Sequence, residues 1–341
     1  MHMPPPRASV LIPVYNSAPT LARCLRSAMR QTLRDIEILV ADDASRDGSA
    51  AIAARLAAED GRIRLIRLAE NGGKPKAMNI MTQAARGTWL AVLDADDAFH
   101  ETRLQRLIEA AEADGAQMVA DNQLYVDAGV AAADGPCAGF GTVVRTAFAP
   151  DGEARILTRA ELVAETACFG EFDYGILKPV IRGDFIRLHD LRYDETSRLA
   201  EDFTYLMRFL VLGGRALLCP APLYYWTMPF GALSRAWTQT GAGAWRYDYR
   251  QALRATDGLI AEMQAQGATD IVTMLQRRAR QYRVMIHYLD AQRHAAEGRP
   301  GRALAALVRH PSTYRLLALR ITGRATRAAR RLVANRLPAA A

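Results

Sequence analysis

At 341 residues, half of them apolar, the chain can bury a full core, which excludes a peptide, a disordered segment or an array of short repeats. Its charge of +8 is gathered at one end: from Arg299 onward there are ten arginines and no acid, so the first 298 residues carry 34 basic against 36 acidic side chains, and a body so nearly neutral argues against nucleic acid as a partner. Apolar runs such as "VLIPV" fall far short of the roughly 20 residues a bilayer span needs; the start "MHMPPPRASV" lacks a secretory pattern; and Cys24, Cys137, Cys168 and Cys219 are scattered without CxxC spacing, so a cytoplasmic chain with reduced thiols is expected.

In chain order, "ASVLIPVYN" reads as a buried strand, and "PTLARCLRSAMRQ" as a helix with Leu21, Cys24, Leu25, Ala28 and Met29 at helical spacing. "IEILVA" and "DGSAAIAARLAAED" repeat the pair, followed by "IRLIRL" with "KAMNIMTQAAR" and then "TWLAVL". Alternation of this kind predicts an α/β fold with a mostly parallel central sheet and helices on both faces. In such sheets ligands sit at the carboxyl ends of the strands. Four loops therefore become candidates for one cleft: "YNSAP", "DDASRDGS", "ENGGKPK" and "DADD". Beyond about residue 115 the alternation weakens, and "DAGVAAADGPCAGFG" reads as loops or edge strands. "SRLAEDFTYLMRFLVLGG" restores a helix with Phe203, Leu206, Met207 and Leu210 on one face, stopped by Gly213 and Gly214. From about Trp245 the pattern is helical.

The loops carry the chemistry. Asp94 and Asp96, two apart at a strand end, point the same way if the chain stays extended. Two close carboxylates repel unless a cation compensates them, and Mg²⁺ or Mn²⁺ takes oxygen ligands of this kind together with substrate phosphate. The alternative is an acidic turn leading into the helix that follows. In "ADDASRDGS", Asp43 is a candidate hydrogen-bond acceptor for a base or ribose, with Ser45 or Asp47 capping the next helix. In "ENGGKPKAMN" two glycines let backbone approach a ligand, and Lys74 and Lys76, two of only three lysines in the chain, supply charge. Glu201 and Asp202 open a helix, where the macrodipole favours carboxylates; a general base is the other reading.

Together "VLIPVYN", "VADDASRDGS", "NGGKPKAMN", "LDADD" and "EDF", in that order over residues 8 to 235, resemble glycosyltransferase family 2, inverting enzymes of the GT-A fold that use nucleotide-sugar donors. "LKPVIRGDFIRLHDLRYDE", "EDFTYLMRFLVLGGR" and "LYYWTMPFGALSR" resemble its exopolysaccharide, succinoglycan-type branch. The resemblance implies a GT-A catalytic domain over 8–240, with a nucleotide-binding half to 115 and an acceptor-side half from 116, after a flexible 1–7 and before a helical 241–341. It implies that Pro13 and Tyr15 border uracil, Asp43 binds its ring nitrogen, and Gly73, Lys74 and Asn79 line the nucleotide. Asp94 is then set against the ribose, Asp96 holds the metal, and Asp202 is the catalytic base. Lys178, Glu201, Ser234 and Arg235 are candidate acceptor or phosphate contacts, Ser234 and Arg235 alternatively closing a loop. One segment departs: where many relatives read YRxHxxSLS, Thr227 and Pro229 stand at the Arg and His positions.

In the tail, Tyr314, Leu317, Ile321, Ala328 and Leu332 form an apolar side, with arginines over much of the rest. A basic amphipathic helix of this kind lies on anionic membrane, bringing the enzyme to a polyprenyl-diphosphate-linked oligosaccharide; the alternative is a terminal helix packed on the domain. The expectation is a UDP-sugar transferase at the inner face of the cell membrane. Its rivals are a sugar-nucleotide nucleotidyltransferase and a non-catalytic nucleotide-sugar scaffold.

Overall fold

The central strands are buried on both faces, which places their sheet between two layers of helix. In the computed structural model, which describes residues 4–127, 143–146, 152–164, 174–197, 199–228 and 249–308, β1 (Ala8–Val14) sends Val10, Ile12 and Val14 to one face and Leu11 to the other. β2 (Ile36–Asp42) and β4 (Trp89–Val92) divide their side chains in the same way. Strands buried on both faces read as continuous apolar runs, which is why "VLIPV" and "IEILVA" are so legible. α1 (Ala18–Met29), α2 (Ser49–Glu59) and α4 (Arg103–Asp114) cover one face; α3 (Lys74–Ala84) and α7 (Glu201–Val211) cover the other. Each Leu or Ile fully buried there contributes roughly 1.5–3 kcal/mol.

Among the described residues the sheet has ten strands, in the order β3 (Ile63–Arg67), β2, β1, β4, β9 (Val180–Arg182), β6 (Met118–Asp127), β10 (Ala216–Met228) and β5 (Ala98–Phe99). β7 (Val143–Thr146) and β8 (Arg155–Ile156) pair off this path with β6 and β10. β3, β2, β1 and β4 are parallel; β9 is antiparallel to both its neighbours, so β6 and the β10 parallel to it resume the direction of β4. The mostly parallel sheet is as expected, and the short reversed β9 joins its two halves.

β6 is the difference from the sequence pattern. The alternation there weakens because Asp121, Asn122 and Gln123 interrupt it, yet all three are buried in a strand with neighbours on both sides. Each of the three side chains has a partner inside: Asp121 pairs with Arg103, Asn122 Oδ1 accepts Gln123 N–H, and Gln123 Nε2 donates to the Ile176 carbonyl. Polarity in this strand reflects internal pairing rather than exposure.

The helical C-terminal region comprises α8 (Tyr249–Ala265), α9 (Thr269–Ala296) and α10 (Pro300–Val308). Leu259, Met263, Ile271 and Leu275 join the core beneath α7. The buried Arg278 guanidinium lies 3.8 Å from the Phe203 ring centroid and donates to the Leu162 carbonyl on α5 (Arg159–Ala164), and Arg208 pairs with Glu262 at 2.9 Å. The helix that begins with Glu201 and Asp202 is thus held from behind. No helix among the described residues is long and apolar enough to cross a membrane. The amphipathic tail, Ser234, Arg235, Pro229, Cys137 and Cys168 lie outside the described residues.

Candidate functional site

The loops after β1, β2 and β3 are latched to one another through backbone amides. Asn16 N–H donates to Ser45 Oγ, Arg46 N–H to Asn16 Oδ1, and Ala18 N–H to Asp47 Oδ2. Asp47 also accepts from Ser49 at the start of α2, so it braces two helix starts. Asp43 receives Gly72 N–H on one carboxylate oxygen at 2.7 Å and Gly73 N–H on the other at 2.8 Å. Gly73 has φ +85°, a conformation costly for any residue with a Cβ. Each Asp43 oxygen keeps a second lone-pair direction for a ligand donor. Pro13 is half-buried at the end of β1, and Tyr15 beyond it is exposed.

Beside these loops lies a cluster of five charges that the sequence scatters over 129 positions, from 74 to 202. Lys74 Nζ is 3.0 Å from Asp94 Oδ1, 3.1 Å from Asp202 Oδ2 and 3.4 Å from Glu201 Oε1. Lys178 Nζ is 2.9 Å from Asp94 Oδ2 and 2.5 Å from Asp202 Oδ2. At an effective dielectric of ~20 one such contact is worth on the order of 4 kcal/mol, while burying each ion costs several. Two or three partners per lysine tip the balance. Burial disfavours the charged form of both lysines, but Asp202 and Asp94 outweigh it and raise their pKa. Burial also opposes ionisation of Asp94, yet Lys178 and Lys74 hold its carboxyl well below the usual range. Glu201 is pushed up, by burial first and by Asp202 second.

The "DADD" turn separates its carboxylates. Asp97 is buried, accepting from Tyr224 OH at 2.7 Å and from Thr227 N–H at 2.9 Å; burial, then Asp96 and Asp94, raise its pKa. Asp96 is half-buried, and its carbonyl accepts from the Arg23 guanidinium at 2.7 Å. The same guanidinium group donates to Thr227 Oγ1 at 2.8 Å. At the departing position 227 a hydroxyl therefore meets an arginine from α1, a residue that helical periodicity alone marks only as the polar neighbour of Cys24. Among the described residues no three His, Cys, Asp or Glu side chains converge as a ready-made metal cage. Both Asp94 oxygens face lysines, whereas Asp96 belongs to the half-buried part of the same turn; a single carboxylate of its kind, together with phosphate oxygens, suits the way Mg²⁺ is usually held.

Asn79 is placed elsewhere. Its amide donates to the Tyr193 carbonyl and to Glu195, and its oxygen accepts Tyr193 N–H, so it braces α3 against the 193–195 segment instead of facing the glycine loop. Lys178 sits at the centre of the cluster. The resemblance offered it only as a candidate acceptor or phosphate contact, and no local pattern in the sequence marks its ion pairs.

The comparisons with known proteins bear on the family and the fold. The family model "Glycosyl transferase family 2" matches residues 9–134. The succinoglycan biosynthesis protein ExoO of Rhizobium meliloti (strain 1021) is 33% identical over 331 residues, 96% of this chain and 88% of that protein. The chain belongs to glycosyltransferase family 2. ExoU of the same organism, also a succinoglycan biosynthesis protein, is 34% identical over 62% of this chain and 54% of its own. S. aureus TarS 1-349, in complex with UDP-GlcNAc, superposes with a TM-score of 0.60 at 17% identity, over 80% of this chain and 72% of that one. The mannosyltransferase PcManGT from Pyrobaculum calidifontis, in complex with GDP-Man and Mn²⁺, gives 0.52 at 18% identity, over 94% and 80%. These structural likenesses are of the GT-A fold. Family membership decides for a glycosyltransferase and against a nucleotidyltransferase or a non-catalytic scaffold.

Proposed function

We propose that this glycosyltransferase moves a hexosyl group from a UDP-sugar to a hydroxyl of a lipid-linked oligosaccharide, with inversion, during exopolysaccharide assembly. The observation that carries the reading is the pair of lysines holding Asp94, at the end of a donor-side strand, and Asp202, at the start of an acceptor-side helix, within one cluster. Relatives named for succinoglycan biosynthesis, and a fold neighbour in complex with UDP-GlcNAc, support the acceptor pathway and the donor.

In this reading the uracil rests by Pro13 and Tyr15 and donates to Asp43, with Gly73 beneath it, while Asp94 meets the ribose. Asp202 takes the proton of the acceptor hydroxyl as its oxygen attacks the anomeric carbon, and UDP leaves from the opposite face. Lys74 and Lys178 hold Asp202 in place and offer positive charge toward the diphosphate side, and Glu201 borders the acceptor. Asp96 is the residue to hold Mg²⁺ or Mn²⁺, which when bound supplies Lewis-acid charge to the departing diphosphate. The arginine-rich tail is assigned to anionic lipid at the inner face of the cell membrane.

A panel of UDP-sugars incubated with polyprenyl-diphosphate-linked oligosaccharides should yield one extended product whose new linkage is inverted. Asp202→Asn should lower kcat by roughly 10²–10⁴-fold with UDP affinity retained by calorimetry. Unchanged turnover in that variant removes Asp202 as the base, and a retained anomeric configuration sinks the single-displacement mechanism.

A further inference from the structure

Arg103 lies at the start of α4, is fully buried, and belongs to none of the candidate loops. Its Nε is 3.1 Å from both oxygens of Asp121, and one terminal nitrogen reaches Asp121 Oδ1 at 2.7 Å. A buried ion pair of this kind is weak evidence for stability by itself, since an apolar pair of similar volume often serves as well. What marks this one is where its remaining hydrogen bond goes: the same nitrogen donates to the backbone carbonyl of Lys178 at 2.5 Å. Lys178 is the residue whose ammonium joins Asp94 to Asp202.

A second path starts from the same guanidinium. It lies 4.3 Å from the Phe99 ring centroid and 5.2 Å from that of Tyr224. The Tyr224 hydroxyl accepts Asp94 N–H at 3.2 Å and donates to Asp97 at 2.7 Å. One buried cation thus backs both the Lys178 main chain and the ring that holds the "DADD" turn. Asp121 fastens the arrangement to β10 by accepting Leu223 N–H.

We infer that Arg103 is a positioning residue for sugar transfer, which sets the Lys178 ammonium between Asp94 and Asp202 through the Lys178 carbonyl. The inference rests on the proposed reading of that cluster. It assigns a functional role to a pair that would otherwise count as core.

The test is Arg103→Met combined with Asp121→Asn in the full chain, which removes both buried charges together and leaves an acceptor for Leu223 N–H. Folding is checked by melting temperature and circular dichroism. Because the chain has only three lysines, ¹⁵Nζ-lysine labelling yields few resonances, and Lys178→Arg assigns its own. In the double variant the Lys178 signal should move while that of Lys76 stays, kcat should fall at least ten-fold, and the UDP dissociation constant should change by a smaller factor than kcat. A folded double variant with an unmoved Lys178 signal, or with kcat within two-fold of the parent, overturns the inference. Should the double variant not fold, Arg103→Lys, which keeps a cation beside Asp121 and adds a single lysine resonance, is read by the same Lys178 signal and the same comparison of kcat with the UDP dissociation constant. A parent protein that transfers no sugar while its Lys178 signal responds to the substitutions refutes the proposed reaction and the catalytic half of the inference, leaving the positional half standing.

Discussion

On the donor side, each loop is tied to the next by backbone amides: Gly72 and Gly73 on Asp43, Asn16 on Ser45, Ala18 on Asp47. The charged cluster beside it rests instead on side-chain ion pairs drawn from α3, the end of β4, the approach to β9 and the start of α7. The donor loops need only the first three βα units, whose contacts are close in sequence. The cluster needs both halves of the sheet, because Lys74 and Asp94 come from one and Lys178, Glu201 and Asp202 from the other. In the proposed reading, substitutions in the loops therefore act mainly on nucleotide binding and those in the cluster mainly on transfer.

Three changes probe that separation, in falling order of expected effect. Lys178→Met leaves Asp94 and Asp202 sharing Lys74 alone. Loss of one partner from a buried ionic group costs about 3–5 kcal/mol, so denaturant unfolding should show a large drop, with kcat reduced by a larger factor than UDP affinity. An equal loss of UDP affinity would break the distinction between the two regions. Gly73→Ala puts a Cβ on a residue of positive φ and extended ψ in the loop after β3, a region essentially reserved for glycine, at about 1–3 kcal/mol. Here UDP binding should weaken while kcat at saturating donor holds, and the opposite pattern would reverse the assignment.

The smallest effect belongs to Glu37, at the far end of β2. Burial opposes its ionisation, but hydrogen bonds from the Arg86 amide, Ser9 and the Arg86 and Arg64 guanidiniums hold its carboxyl below the usual range. A lowered folded-state pKa contributes stability above the unfolded value of about 4.3 that is lost as pH falls through the folded one. Glu37→Gln should lower the melting temperature at pH 7, and the gap from the parent should narrow once the pH drops below about 4. A gap constant with pH shows the loss to be packing rather than charge. UDP binding, at the other end of the strands, should not change.

Much of this was readable in advance. Apolar runs such as "VLIPV" announced strands buried on both faces, and the rule that ligands gather at strand carboxyl ends selected the four loops, three of which the structure latches together directly. The spacing of Phe203, Leu206, Met207 and Leu210 marked α7, and all four are buried. β6 was obscured because Asp121, Asn122 and Gln123 break the apolar pattern, and a sequence does not say whether a polar side chain has found a partner inside. Asn79 shows the converse: its type suited a ligand contact, while its bonds go to Tyr193 and Glu195.

The sequence alone determined the alternating half of the sheet, the loops at its edge and the helix that starts with Glu201 and Asp202, because periodicity and turn chemistry are local. Only the tertiary structure decided which charges meet. Lys178 and Asp94 are separated by 84 positions and Arg103 by 75 from the carbonyl it holds, and no local pattern encodes such contacts. They follow from β9 running backwards between β4 and β6, which delivers a lysine to the end of a strand whose carboxylates need it.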